Sequence, residues 1–345
     1  MVFKYIFFVL IIFSCSLQNI YTEKSVSDEQ ILEILRTSFP YFTVNQITPL
    51  YGGSSFQKKY RISFKTSSQE YVLCLNDPKM IMKNKSELFA MLQASKIGVA
   101  PKVNTFSDDA SVIIMDYIRG SPSTIECSKS QNLSKLANTL RKVHSLPKNP
   151  FQNTSIFERI YSQYLLLKSK KKTSSQLDNA FEWFKRQKNI IEKISVHKVF
   201  VHGDLHAGNI LFTSDKAILI DWSENGFEHP FFDLSYLAIC LGYNEQEEDT
   251  LLTQYLKIPV PLEEKARYYF FKKMNYFYFS ISLYCYAYSQ AECRRIILKK
   301  DDPILDWSFY IKYSENKQNL SPQFFYNFAR CALAMFYIVN SDSSK

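Results

Sequence analysis

Glycine is scarce in this chain, with 8 in 345 residues. That excludes a glycine-rich low-complexity segment, and neither an internal repeat nor a long disordered linker appears elsewhere. Cysteine numbers seven, at positions 15, 74, 127, 240, 285, 293 and 331. The odd count and unpaired spacing argue against a disulfide framework and give no zinc-finger pattern, which favours a reducing compartment. Cys240, Cys285 and Cys331 lie in apolar surroundings and read as small core residues. Near the N-terminus the apolar run Tyr5-Ile-Phe-Phe-Val-Leu-Ile-Ile-Phe-Ser14 is too short for a comfortable membrane span but fits a signal-peptide core. The run therefore has three readings: a cleaved signal, a membrane tether with the body in the cytoplasm, or an apolar N-terminus without a targeting role. Residues 1–24 are set apart from the fold in each case.

What is present is a globular composition, 46% hydrophobic and 22% charged. Phe (28) and Tyr (23) are so abundant that aromatic clusters alone carry little weight. The formal charge is +9, and Lys168 with Lys170, Lys171 and Lys172 forms a basic run. No nucleic-acid signature accompanies it, so it reads as a solvated surface and no nucleic-acid partner is expected.

The chemistry concentrates in His202-Gly203-Asp204-Leu205-His206-Ala207-Gly208-Asn209, followed by Asp221. Short apolar runs at 199–201, 210–212 and 217–220 frame these residues, with a turn at 213–216, and read as short buried strands. Asp204 and Asn209 then share one loop, and Asp221 ends a neighbouring strand. An acid, an amide and a second acid placed this way suit magnesium-assisted phosphoryl transfer, in which one carboxylate orients the attacking hydroxyl and the other two groups hold the metal.

At these residues, together with Ile220-Asp221-Trp222 and Phe232-Asp233-Leu234-Ser235, the chain resembles the aminoglycoside phosphotransferase/choline kinase superfamily. The resemblance implies an α+β, two-lobed protein-kinase-like fold: a small antiparallel-sheet N-terminal lobe at 25–118 that binds nucleotide, and a larger, mainly helical lobe at 119–345 for catalysis and the acceptor. It implies Asp204 as catalytic base, Asn209 and Asp221 as magnesium ligands, and Asp233 as a supporting acid. ATP and Mg2+ are the implied cofactors.

Around that motif, 27–39 has helical spacing with Ser27 or Asp28 as cap. Strand-like runs at 47–50, 60–64 and 71–75 surround Gly52-Gly53-Ser54-Ser55, whose backbone N–H groups could cover phosphate. Residues 85–97 read as a helix carrying Glu87. In the kinase-like fold this helix supplies a Glu that pairs with a basic residue on the third strand. Here that strand position is Cys74, and a thiol cannot neutralise phosphate; Lys79 or another nearby cation takes over, or nucleotide binding is weakened. The resemblance makes 115–118, with Met115 and Tyr117, the hinge whose backbone amides bind adenine.

Helices are also expected at 133–146, at 155–195 as a Lys-rich arm, and through 262–340. The Tyr-rich segment 268–288, with Trp307 and Tyr310, could line a pocket for a quaternary ammonium group, or could be core packing. Glu224 and Glu228 could attract a cationic acceptor, or be loop charges. The C-terminal region is not acid-rich, which leans away from an aminoglycoside. The resulting expectation is a kinase acting on a hydroxyl of a small molecule, most readily a choline-like amino alcohol. The alternatives are a degenerate nucleotide- or partner-binding member, a kinase for aminoglycosides or other small alcohols, and an exported interaction protein.

Overall fold

A computed structural model describes residues 27–50, 57–122, 132–151, 155–193, 197–300, 302–316 and 320–339. The apolar leader at 1–24 and the Gly52-Gly53-Ser54-Ser55 turn lie outside the described residues. No helix among the described residues is long and apolar enough to cross a membrane.

In chain order the elements are helix α1 (Asp28–Ser38), strands β1 (Val44–Leu50), β2 (Lys58–Phe64) and β3 (Ser67–Leu75), and helix α2 (Ile81–Lys96). Strands β4 (Val103–Phe106), β5 (Val112–Asp116) and β6 (Ser121–Pro122) follow, then helices α3 (Leu133–Val143), α4 (Ile156–Ser169) and α5 (Ser175–Lys193). Short strands β7 (Val199–Val201), β8 (Ile210–Phe212), β9 (Ala217–Leu219) and β10 (Gly226–Glu228) come next. Five helices complete the chain: α6 (Pro230–Leu241), α7 (Glu245–Leu256), α8 (Leu262–Arg294), α9 (Trp307–Asn316) and α10 (Pro322–Ile338).

The residues group into two compact units. One takes residues 23–153 and 199–227, the other residues 154–198 and 228–345. The first holds an antiparallel five-stranded sheet in the order β1-β2-β3-β5-β4 and a three-stranded sheet in the order β6-β8-β9. The second is helical. The α+β class expected from the sequence is what folds.

Helix α1 starts where Ser27 and Gln30 cap each other reciprocally. Ile31 and Leu35 lie one turn apart and are fully buried with Ile62, Phe64, Leu73 and Ile114 from the sheet. Burying each such side chain stabilises by roughly 1.5–3 kcal/mol. That core fixes the register of β2 against β3, in which Lys59 stands opposite Cys74. A slip of one residue would turn every side chain of β2 to the other face.

Helix α2 is held by a polar network. Asn149 is buried and donates from its amide to the Ser86 carbonyl at 2.9 Å and to Asn225 Oδ1 at 2.8 Å. Asn225 in turn donates to the Trp222 carbonyl at 2.8 Å. The helix that carries Glu87 is thereby tied to the loop that follows Asp221.

The helical unit is built on aromatics. Tyr276 and Phe328 pack on Trp307 at ring distances of 5.1 and 4.9 Å, and Trp307 Nε1 donates to the Ile239 carbonyl at 3.1 Å. Tyr268, Tyr276, Tyr284 and Tyr310 are buried as well. These residues therefore serve as core, the blander of the two readings left open for the Tyr-rich segment. The Lys-rich arm is two packed helices, with Tyr164 stacked on Phe181 and Phe157 on Phe184. Its basic run is engaged: Lys168 pairs with Asp178 and Lys170 with Glu292, each at 2.7 Å, and Lys172 lies over the Tyr288 ring.

Asn149→Ala would leave the Ser86 carbonyl and the Asn225 amide short of partners in a buried setting. We expect a loss of about 2–3 kcal/mol in denaturant unfolding, and less than additive loss when it is combined with Asn225→Ala. Independent, additive costs would show that the two amides do not act as one network.

Candidate active site

The loop between β7 and β8 is shaped by short-range bonds that its sequence dictates. His202 is fully buried. Its Nδ1 accepts from the Asp204 N–H at 3.3 Å, and its Nε2 lies 3.1 Å from the Ile220 carbonyl, with Trp222 against the ring at 4.6 Å. One imidazole thus joins the start of the loop to the residue before Asp221. The Ile220 N–H donates to the Asn209 carbonyl at 3.0 Å and ties the other end of the loop to the same strand. Gly203 has φ of +83°, and a Cβ there would lie 2.1 Å from the Glu224 carbonyl oxygen, so only glycine lets the two backbones approach.

Asn209 Nδ2 donates to the Asp204 carbonyl at 2.9 Å and to Asp204 Oδ2 at 3.1 Å. The amide nitrogen is therefore committed to Asp204, and the amide oxygen is the atom Asn209 can offer to a cation. Asp221 adopts φ of +62°, a backbone state that Asp tolerates better than bulkier residues. Its Oδ2 accepts from Lys59 Nζ at 3.1 Å, while its Oδ1 is buried and accepts no hydrogen bond. Burial pushes the Asp221 carboxyl up, but the Lys59 ammonium and the Ser223 hydroxyl outweigh it and hold the pKa below the ordinary value. A buried carboxylate oxygen without a hydrogen bond and an uncommitted amide oxygen are donor types that suit a hard divalent cation such as magnesium, which binds proteins through one or two carboxylates and keeps other oxygen ligands for itself.

Glu87 of α2 is buried and accepts from Gln57 Nε2 at 3.3 Å. Asp221, Lys59 and Lys83 all act on its charge. Lys59, which no local sequence pattern singles out, meets Asp221 here, and the β2–β3 register places it opposite Cys74. Lys79 sits exposed on the short turn Pro78–Met80. Glu224 pairs with Lys83 at 3.6 Å. Glu228 is buried, accepts from the Ile156 N–H at the start of α4 at 2.8 Å, and lies 3.5 Å from Lys198, which makes it a structural cap.

Met115 and Tyr117, the residues expected to meet adenine, sit on and just after β5. Met115 pairs with Val72 of β3 and Val103 of β4. The Tyr117 N–H donates to the Glu70 carbonyl at 2.9 Å, and the Arg61 guanidinium covers the Tyr117 ring at 4.4 Å. The Tyr117 amide is thus already used by the sheet. Glu70 receives both Arg61 and Arg119, which offset the cost of its partial burial and hold its carboxyl below the usual range. Asp233 lies fully buried in the first turn of α6.

Gly203→Ala has to displace the Glu224 backbone and adopt a left-handed φ; we expect a loss of at least about 3 kcal/mol in unfolding free energy, and wild-type stability would refute the close approach. Burial, reinforced by the charge of Asp221, raises the Glu87 carboxyl to about 7, against the pull of Lys59, Lys83 and Gln57. In the unfolded chain it ionises near 4.3, roughly its free value. Between these values the folded protein holds a proton that the unfolded chain has released, so this group makes stability fall as pH rises from about 4.5 to 7 and adds no slope above. Glu87→Gln removes that contribution, so the variant should gain on wild type by on the order of 3 kcal/mol across the window. Urea unfolding of both proteins at several pH values reads the difference, and a difference that stays constant overturns the assignment.

Protein LicA of Haemophilus influenzae is 24% identical over 181 residues, which cover 51% of this chain and 67% of that protein. Across the LicA proteins it matches, the chain spans between 52% and 67% of their length. A choline/ethanolamine kinase family protein from Mesorhizobium loti superposes with a TM-score of 0.63 at 18% identity, covering 89% of this chain and 99% of that one. Choline kinase LicA from Streptococcus pneumoniae gives 0.61 at 19% identity, covering 90% and 100%. These likenesses make the fold the protein-kinase-like one. Residues 46–270, more than half of the chain and inclusive of Lys59, Glu87, Asp204, Asn209 and Asp221, match the phosphotransferase enzyme family (APH), and the protein belongs to that family.

Proposed function

We propose that this phosphotransferase uses ATP and magnesium to phosphorylate a hydroxyl of a small amino alcohol of the choline type. The observation that carries the catalytic part is the joint arrangement of Asp204, Asn209 and Asp221. Asn209 pins the Asp204 carboxylate, and Asp221 keeps one buried oxygen without a protein partner.

Asp204 is the general base. Its carboxylate is held by Asn209 and lies 3.7 Å from His206 Nε2, with its side chain partly open to solvent. In that position it takes the proton of the acceptor hydroxyl as the oxygen attacks. Asn209 Oδ1 and Asp221 Oδ1 are the atoms that would hold magnesium. The bound ion would neutralise charge on the phosphate oxygens. The rest of the work is alignment, supplied by the His202 and Asn149 bonds that keep the loop and α2 in place before substrate arrives.

The acceptor is the finer part of the reading. Support for a choline-type alcohol comes from the similarity to Protein LicA and to solved choline and choline/ethanolamine kinases. The buried tyrosines of α8 add nothing to it, since they pack on other rings of the helical unit.

An ATP-consumption screen of the full chain over choline, ethanolamine, thiamine, sugars and aminoglycosides tests both parts. Turnover should require magnesium and be highest with an amino alcohol. Asp204→Ala should lower kcat by a factor on the order of 10² or more while leaving the affinity for ATP with magnesium nearly unchanged. Undiminished turnover in that variant removes Asp204 from the mechanism, and an aminoglycoside preferred over amino alcohols replaces the acceptor.

A further inference from the structure

We propose that the cation which grips the nucleotide phosphates is Lys59 on β2, working in the space that Cys74 leaves open on β3. The inference rests on the nucleotide-dependent reading above and adds to it a residue on a different strand from the one that kinase-like folds ordinarily use.

Three observations carry it. The first is register. Lys59 and Cys74 are directly opposed on antiparallel strands, so their side chains leave the same face of the sheet with Cβ atoms about 5 Å apart. A lysine rooted on β2 needs only its flexible four-carbon stem to bring its ammonium to the place a β3 lysine would reach. The second is position. Lys59 Nζ lies 3.1 Å from Asp221 Oδ2, and its charge interacts with both Asp221 and Glu87, the metal and helix acids of the proposed site. The side chain retains 23% of its exposure, so the ammonium is stripped of much of its water without being sealed from a ligand. The third is the chemistry of position 74. Cys74 is only 1% exposed, and burial pushes its thiol up to about 12, so it is neutral and offers phosphate no charge.

The two positions are therefore a matched pair. A long basic side chain at 74 would compete with Lys59 for one volume and place two like charges side by side. A small neutral side chain there admits the Lys59 stem. Other nearby cations do not serve: Lys79 is exposed on its turn, and Lys83 pairs with Glu224. In the ligand-free protein Asp221 neutralises the ammonium. When phosphate enters, the ammonium exchanges part of that contact for phosphate oxygens as a point charge with three donors.

The test measures binding rather than turnover. Calorimetric titration of ATP with magnesium, and of adenosine, is carried out on the wild type, Lys59→Met, Lys59→Gln, and the double variant Lys59→Met/Cys74→Lys. Both single variants should lose about 10- to 100-fold in ATP affinity, the scale of one charge-assisted contact, and keep wild-type adenosine affinity. The double variant should recover at least part of the ATP loss, because the charge returns from the opposing strand. Unchanged ATP affinity in both single variants overturns the proposal. So does an equal loss for ATP and adenosine, which would make Lys59 a structural partner of Asp221. A wild-type protein that binds adenosine but gains nothing from the phosphates also overturns it. A wild type that binds neither ligand fails at the earlier step, the nucleotide reading itself.

Discussion

The contact between Lys59 and Asp221 joins residues 162 positions apart, and the rest of the site is arranged around it. Both groups are largely withdrawn from water, where an isolated charge is costly and a paired one is tolerated. The ammonium keeps Asp221 ionised despite its burial. Asp221 in turn keeps the ammonium beside the β3 position where this chain has only a thiol. Glu87 stands close enough to feel both and is left poised between its charged and neutral forms.

That contact has meaning only if its two backbones are fixed. On the sheet side, the α1 core of Ile31 and Leu35 locks β2 in register. On the loop side, His202 and the Ile220–Asn209 backbone bond hold the catalytic segment to the end of β9. Asn149 and Asn225 anchor α2 to the same loop. These are packed or fully hydrogen-bonded supports, the kind that let a site present charges without reorganising when substrate binds. The residues proposed to carry the chemistry, Lys59, Glu87, Asp204, Asn209 and Asp221, all lie within one compact unit, which combines the N-terminal sheet with the 199–227 segment.

Much of this was legible in the sequence because its causes are local. Asp204 and Asn209 share one tight loop, and the alternation of short apolar runs with turn residues marks β7, β8 and β9 to within a residue. Of the two caps expected for α1, Ser27 or Asp28, it is Ser27 that caps the helix. Where the reading left alternatives, the deciding cause was burial. The tyrosines of 268–288 look the same in sequence whether they pack on one another or line a pocket, and Glu228 looks like a loop charge until the start of α4 is seen resting on it.

The sequence by itself therefore determined the loop chemistry: an acid, an amide and a second acid at spacings that short strands and turns convert into one cluster. The α+β class was implied by the family resemblance that these residues carry. Only the tertiary structure decided which cation meets Asp221. Lys59 and Cys74 become neighbours through strand pairing, Lys59 and Asp221 through the packing of segments far apart in the chain, and no local pattern encodes a contact whose partners are brought together by the burial of other residues.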